Sequence, residues 1–569
     1  MTENLKTPWL KNYGDVPFNL DYPEYTMCEA IEETAKSYPD YHALAFMGRH
    51  ITYAKLVKHI DETARAFKAY GIGEGDRVTV CMPNIPQTVY CLYALNKIGA
   101  IASMIHPLSA VGEIEFYIKE VDSCCVVTID QFYDKFAEVR KNAEINKLVI
   151  ASISDELSAV KSFAYKNLTE RKFTKPTFDE KTKKWKDFVN SGKLYAGELK
   201  AEKKGEDAAV ILFSGGTTGV TKGILLSNYN FNALAIQTAV MCKARVCGTR
   251  MLAAMPMFHG FGLGVCVHTM LVVGGCSILV PKFNVKSYSG LIKKEKPNYI
   301  AGVPTLYEAI IRSNYLDGVN LKHLMGVFSG GDSLSVELKK KFDEFLKNHN
   351  ASVRVREGYG TTECVTACCL TPYHIEKEGS IGMPYPDTYF KICNPGTTEE
   401  VPYGTDGEIC LCGPTVMMEY INHPKETADT LKTHDDGNVW LHTGDLGYMD
   451  DDGFVYFKQR IKRMIITSGY NVYPSQLENI IDAHESVVMS CVIGVKDEYK
   501  IQKIKAYVVL KEGFAPDEAT KQSILEHCKK HIAKYAMPYD IEFRESLPKT
   551  LVGKVAYTVL EKEANGEGM

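Results

Sequence analysis

Short runs of core-forming residues alternate with helix-patterned stretches through the first part of the chain, and this alternation limits the fold more than any other feature. Residues 53–70 carry apolar side chains at helical spacing and run into Gly71-Ile72-Gly73. Residues 77–82 read as a short buried strand, 86–98 as a helix and 100–106 as another strand. Residues 124–128 and 147–151 repeat the strand signal. Strands with no polar alternation, separated by helices, suit parallel sheets covered on both faces. Residues 163–190, rich in Lys, Glu and Thr, read as a surface excursion before a strand at 208–213.

The pattern changes in the last fifth. Residues 446–457 read as a hairpin turning on Asp450-Asp451-Asp452-Gly453. That acidic cluster lacks the alternating ligand spacing of an EF-hand, so a turn is expected rather than a calcium loop. After the charged stretch 458–463 come a helix at 474–484, strands at 487–495 and 503–511, and a helix at 517–532. The expectation is an α/β protein. A large N-terminal domain of parallel-rich sheets flanked by helices spans 1–459, and a small mobile C-terminal α+β domain spans 460–569.

Composition removes several classes. The 569 residues correspond to about four units at ~150 residues each. Hydrophobic residues make up 45% and charged residues 24%, which is globular. A net charge of -4 gives no global basic field for nucleic acid. The 17 cysteines form no CxxC pair and read as free thiols in a reducing cytoplasm. No signal peptide or run of ~18 apolar residues is expected, leaving at most peripheral membrane contact.

The most informative stretch is Phe213-Ser214-Gly215-Gly216-Thr217-Thr218-Gly219-Val220-Thr221-Lys222-Gly223. It follows a strand. Its glycines let backbone N–H groups turn towards an anion, its hydroxyls donate to phosphate oxygens, and Lys222 adds charge. A polyphosphate is the natural ligand. The order Thr221-Lys222-Gly223 breaks the Walker A pattern, and residues 259–264 do not form a Rossmann fingerprint.

This loop resembles the Ser/Thr/Gly-rich signature of adenylate-forming enzymes, the superfamily of acyl-CoA synthetases, peptide-synthetase adenylation domains and firefly-type luciferases. Residues 255–264, 357–363, 443–445 with 460–478, and 548–554 resemble its further motifs, in order. The sequence departs from the family at Thr221 (commonly Pro), Gly215 (often Ser), Asn228 (commonly His) and Asp332 (commonly Ala). The resemblance implies that a carboxylate attacks the α-phosphate of ATP, giving acyl-AMP and pyrophosphate. A thiol, commonly that of coenzyme A, then displaces AMP. Two anions must meet, so the site must supply cations and N–H donors.

The resemblance also assigns roles. Ser214, Gly216, Thr217, Thr218, Gly219 and Lys222 surround the phosphates. Gly331, Gly358, Tyr359, Gly360, Thr361 and Thr362 border adenine and phosphate. Glu363 and Thr218 hold Mg2+, Asp445 accepts from the ribose hydroxyls, and Arg460 reaches ribose or phosphate. Lys554 is the adenylation lysine. His259 and Gly330 lie beside the acyl group, Gly469 beside the thiol tunnel, and Lys462 is the hinge. By residue type alone Glu363 is equally a paired surface carboxylate, His259 a packed ring, Asp445 a turn residue and Arg463 an exposed linker cation. Asp332 reads either as a polar substrate contact or as an Asx turn.

The leading expectation is an AMP-forming ligase joining a hydrophobic acid (medium- or long-chain fatty, aryl or bile-acid-like) to CoA, as monomer or homodimer. A stand-alone adenylation enzyme loading a carrier protein, a luciferase-like oxygenase and a nucleotide-binding regulator without chemistry are the alternatives. ATP, Mg2+ and CoA are the expected cofactors.

Overall fold

The computed structural model describes residues 5–214, 221–243, 247–467, 470–497, 499–550 and 554–566, without the side chains of Ser214, Tyr470 and Asn471. Four sheets form among the described residues. The first runs in the order Glu419–Tyr420, Lys222–Ser227, Ala208–Ser214, Ile101–Met104, Arg77–Cys81, Cys125–Ile129, Leu148–Ala151 and Thr182–Lys184. From Ala208–Ser214 onwards all neighbours are parallel. The second sheet has nine strands. Its centre, from Val355–Tyr359 through Gly326–Ser329, Tyr299–Gly302, Arg250–Ala253 and Cys276–Leu279 to His42–Phe46, is also parallel. Most of these strands are the apolar runs of the sequence, buried on both faces as parallel strands require, while the edge strand Thr182–Lys184 and Val355–Tyr359 carry polar, part-exposed residues.

Two features tie these sheets together. The helix Pro86–Lys97 is buried at every position from 86 to 96, so it is wrapped by protein on all sides. Asn84, just beyond the strand Arg77–Cys81, donates to Ala253 O (3.0 Å) and Met255 O (2.8 Å) and accepts from Met257 N (2.9 Å). A first-sheet residue thereby fixes the segment that leads to His259.

The third sheet is antiparallel, with Tyr389–Cys393, Gly407–Cys412, Val439–Met449 and Leu431–Thr433 in order and Val455–Arg460 paired to Val439–Met449. Only its last hairpin is anticipated by the sequence pattern. The 450–453 turn is as expected: Asp450 Oδ1 accepts from Asp452 N and Phe454 N, and Lys377 neutralises Asp450 and Asp452.

The large core gathers buried residues from Trp9 to Val455, and two smaller clusters run from Ile465 to Leu560. The smaller unit packs the helices Pro474–Asp482 and Glu518–His531 with a sheet centred on Val487–Asp497 and Ile501–Leu510. A mixed α/β body with a smaller C-terminal unit matches the expected fold class. The 163–190 stretch differs from expectation. It carries the end of a helix, Ala159–Leu168, an edge strand, Thr182–Lys184, and a second helix, Trp185–Ser191. Trp185 and Phe188 anchor that last helix in the core. No described helix is long and apolar enough to cross a membrane, and all 17 cysteines are free thiols.

Candidate active site

One wall of the site is built by a bulge. Strand Val439–Met449 pairs with Gly407–Cys412, but the partner of Glu408 is Leu446 and that of Cys410 is His442. Thr443, Gly444 and Asp445 therefore loop out of the ladder, with Gly444 at φ 69°. Thr443 Oγ1 donates to Ile409 O (2.6 Å) and accepts from Asp445 N (3.1 Å). Gly444 N donates to Glu408 Oε1 (2.9 Å), and His442 Nδ1 lies 2.8 Å from Glu408 Oε2. Behind them His434 Nε2 meets His442 Nε2 at 3.0 Å. The ligand atoms of Glu408, Cys410 and His442 lie within 4.8 Å of one another, but both Glu408 oxygens already serve the bulge. The group is its support.

Asp445 is 2% exposed. The Tyr359 hydroxyl donates to its Oδ2 (2.7 Å), and Arg460 Nε lies 3.3 Å from Oδ1. Burial raises the Asp445 pKa, while Arg460 and the Tyr359 hydrogen bond oppose that shift. Oδ1 itself accepts no hydrogen bond. A buried acceptor in that condition fits a ligand hydroxyl.

The adjoining wall follows the strand Val355–Tyr359. A Cβ on Gly360 would sit 1.7 Å from Thr366 O, and one on Gly260 would sit 1.7 Å from Val365 O. Val365 has φ 64°, an outlier for a β-branched residue. The segments 258–261 and 358–362 are thus drawn onto one tight turn. From Phe261 to Thr269 the chain winds as a π-helix, a form concentrated at functional positions.

Tyr420 links two further groups. Its hydroxyl donates to Glu363 Oε1 (2.8 Å), and its ring lies 4.1 Å beneath the Lys222 ammonium. A carboxylate held at one oxygen suits a hard cation such as Mg2+. Ser214 ends its strand, paired with Lys222. Gly216, Thr217, Thr218, Gly219 and Gly469 lie outside the described residues.

Two clefts converge here. One, about 920 Å³, has Met251, Val265, Met270, Tyr299, Phe328 and Leu370 in its lining. Gly330, Gly331, Gly358, Tyr359, Gly360 and Thr361 also line it. The other, about 1110 Å³, is lined by Glu363, Thr221, Glu113, His106, Phe258 and Thr550 among others. His259, Thr362, Arg460 and Lys554 line both. A Cβ on Gly331 would meet Lys554 Cε at 3.7 Å, so the lysine reaches the 330–331 turn. Burial lowers the Lys554 pKa and Arg460 lowers it further, while Asp332 and Asp445 raise it. His259 Nδ1 accepts from Phe261 N (3.2 Å). Burial and the nearby Lys554 push its pKa down to about 3, so the ring is neutral at physiological pH with its proton on Nε2.

Three surrounding residues of the sequence reading lie nearby. Arg463 is not an exposed linker cation: it is half-buried, pairs with Glu478 Oε1 (2.5 Å) and donates to Val492 O. Lys462 lies exposed in the turn Ile461–Arg463, between the last residue of the large core and the first of the small one. Asp332 Oδ1 accepts from Ser333 N, a local turn contact. Sequence reasoning missed Tyr420, Glu408 and His442. Each acts through a partner at least 34 positions away, and no local spacing marks them.

Residues 31–421 match the AMP-binding enzyme family and residues 476–554 the C-terminal domain of AMP-binding enzymes. The chain belongs to the AMP-binding enzyme family. It is 33% identical over 555 residues to the long-chain-fatty-acid–CoA ligase of Bacillus subtilis (strain 168), covering 96% of each chain. It is 30% identical over 577 residues to that of Yersinia pestis, covering 98% of each. Among solved structures, ATP-bound MatB from Rhodopseudomonas palustris superposes with a TM-score of 0.78 at 25% identity, covering 94% of this chain and 98% of that one.

Proposed function

We propose that this chain is an AMP-forming acid–CoA ligase acting on a long-chain fatty acid or an acid of similar apolar character. The observation that carries this reading is the meeting of the two clefts at His259, Thr362, Arg460 and Lys554. Among the described residues that line the first cleft, Arg460 and Lys554 are the only Lys, Arg, Asp or Glu. An acid whose single charge is its carboxylate fits such a space, because a second buried charge would be unpaired there.

In the first step a carboxylate oxygen attacks the α-phosphorus of ATP and pyrophosphate leaves. Lys554 lies between the two anions and offsets their repulsion as negative charge develops. Neutral His259 offers an Nε2 proton to the carboxylate. Asp445 accepts from the ribose hydroxyls, Tyr359 and the 358–362 backbone border the adenine, and Arg460 reaches the ribose or phosphate. Lys222 and the glycine-rich loop receive the β and γ phosphates. Glu363 would hold Mg2+, which when bound supplies charge neutralisation on the phosphates. In the second step the CoA sulfur attacks the acyl carbon and AMP leaves. Lys554 must vacate the space for that approach, so the unit beyond Lys462 rotates, and Gly469 comes to line the thiol path.

The test is acid-dependent pyrophosphate release from a panel of acids, then AMP formation with CoA, with a carrier protein and with neither. Release with fatty acids and AMP formation that needs CoA are expected. Release with no acid of the panel contradicts ligase chemistry, and transfer only to a carrier protein contradicts the CoA assignment.

A further inference from the structure

The stretch 158–186 takes no part in lining either cleft. Its helix Ala159–Leu168 has no buried residue. Tyr165 packs towards the large core, while Val160, Phe163 and Leu168 are 81%, 74% and 63% exposed. Positions i, i+3 and i+8 share one helix face. The apolar stripe therefore points outwards, the reverse of an ordinary surface helix. Lys161 Nζ donates to Met47 O (2.6 Å), which brings in a hairpin tip whose Met47 is itself 42% exposed.

The charges beside this stripe are one-sided. The helix carries no carboxylate. Lys166, Arg171, Lys172 and Lys175 are exposed, and no ion pair joins any of them to another described residue. From 158 to 186 there are nine Lys/Arg and three Asp/Glu, in a chain that totals 66 and 70. Elsewhere lysines are commonly neutralised, as Lys97 is by Glu32 and Lys377 by Asp450. A symmetric contact with a second copy would set these uncompensated cations against themselves.

We infer that this face docks on a bilayer surface that carries anionic lipid. Val160, Phe163 and Leu168 enter the boundary between headgroups and acyl chains. Lys166, Arg171 and Lys172 meet headgroup phosphates while their alkyl stems lie along the apolar stripe. The contact does not depend on which acid the enzyme activates, so it stands or falls separately from the proposed reaction.

The test is sedimentation of the full chain with vesicles of phosphatidylcholine alone or with about one-third phosphatidylglycerol. Binding to the anionic vesicles should clearly exceed binding to the neutral ones and fall as salt is added. Lys166→Gln and Arg171→Gln should each weaken it about fivefold. Phe163→Ser with Leu168→Ser should weaken it at least about tenfold, with melting and ATP–pyrophosphate exchange on a water-soluble acid unchanged. Phe163→Trp keeps an apolar side chain, and the fluorescence of the introduced indole should shift to the blue when anionic vesicles are added. Equal sedimentation with both vesicle types, none with either, or an unshifted indole spectrum in the Phe163→Trp variant overturns the proposal. So does self-association that Phe163→Ser removes in the absence of lipid, which assigns the face to a second copy.

Discussion

Asp445 and Lys554 share one site but are held in opposite ways. Asp445 is 2% exposed, fixed by the Tyr359 hydroxyl, and carried on a bulge that Glu408, Ile409 and Thr443 pin with hydrogen bonds of 2.6 to 3.1 Å. Lys554 enters at the end of the small unit, where its N–H donates to the Thr550 hydroxyl (3.1 Å) and its carbonyl accepts from Thr550 N (2.7 Å). The groups that bind nucleotide are preorganised, so they need no rearrangement when charge develops. The group that must be present in one step and absent in the next is delivered. A two-step enzyme with one site needs both arrangements.

Breaking the delivered half should have the largest effect. Lys554→Ala should lower acid-dependent ATP–pyrophosphate exchange by on the order of 10²–10³. Breaking the locked half should cost less and act chiefly on nucleotide binding. Asp445→Ala leaves Tyr359 and Arg460 unpaired and should reduce kcat/KM for ATP about 10- to 100-fold in the same exchange assay. Lys462→Pro fixes φ and removes a backbone donor at the turn between the two cores. It should spare exchange and slow thioester formation about tenfold. Equal slowing of both steps would place Lys462 outside the hinge.

Smaller effects sharpen the comparison. Glu408→Gln weakens the support of the bulge without touching the clefts. It should lower stability by about 2 kcal/mol in urea unfolding and raise KM for ATP a few-fold. Lys554 must be protonated to act, and burial holds its pKa below the ordinary lysine value. The alkaline limb of kcat/KM for adenylation should therefore lie below that of an exposed lysine, with activity lost as pH rises through it. Asp332 raises the Lys554 pKa, so Asp332→Asn should move the limb to lower pH. A limb that stays in place would mean that another group governs it.

Much of the locked half is legible in sequence because glycines and hydroxyls cluster where backbone must approach phosphate. Gly358, Gly360 and Thr361 announce a tight turn, and the structure packs Gly360 within a Cβ's reach of Thr366 O. Its support is not legible. Glu408 lies on one strand and His442 on another, and only the register of Gly407–Cys412 against Val439–Met449 brings them together. Tyr420 is equally silent, since its link to Lys222 and Glu363 depends on a two-stranded pairing with Ile224. The central strands of the first sheet could be read from their apolar runs, whereas the third sheet, with its bulge and its mix of buried and half-buried positions, gave only its final hairpin. The helix Ala159–Leu168 escaped because its apolar face points to solvent, so its pattern does not mark a core.

The separation of the two halves is tested most directly by the second half-reaction of Lys554→Ala. Acyl-adenylate is supplied ready-made with CoA, and thioester formation is timed in the variant and the unaltered chain. The account predicts rates within about threefold of each other, because the lysine's charge is needed only while two anions are brought together. A loss as large as that in pyrophosphate exchange would contradict it, and would make Lys554 a fixed part of the site rather than a delivered one.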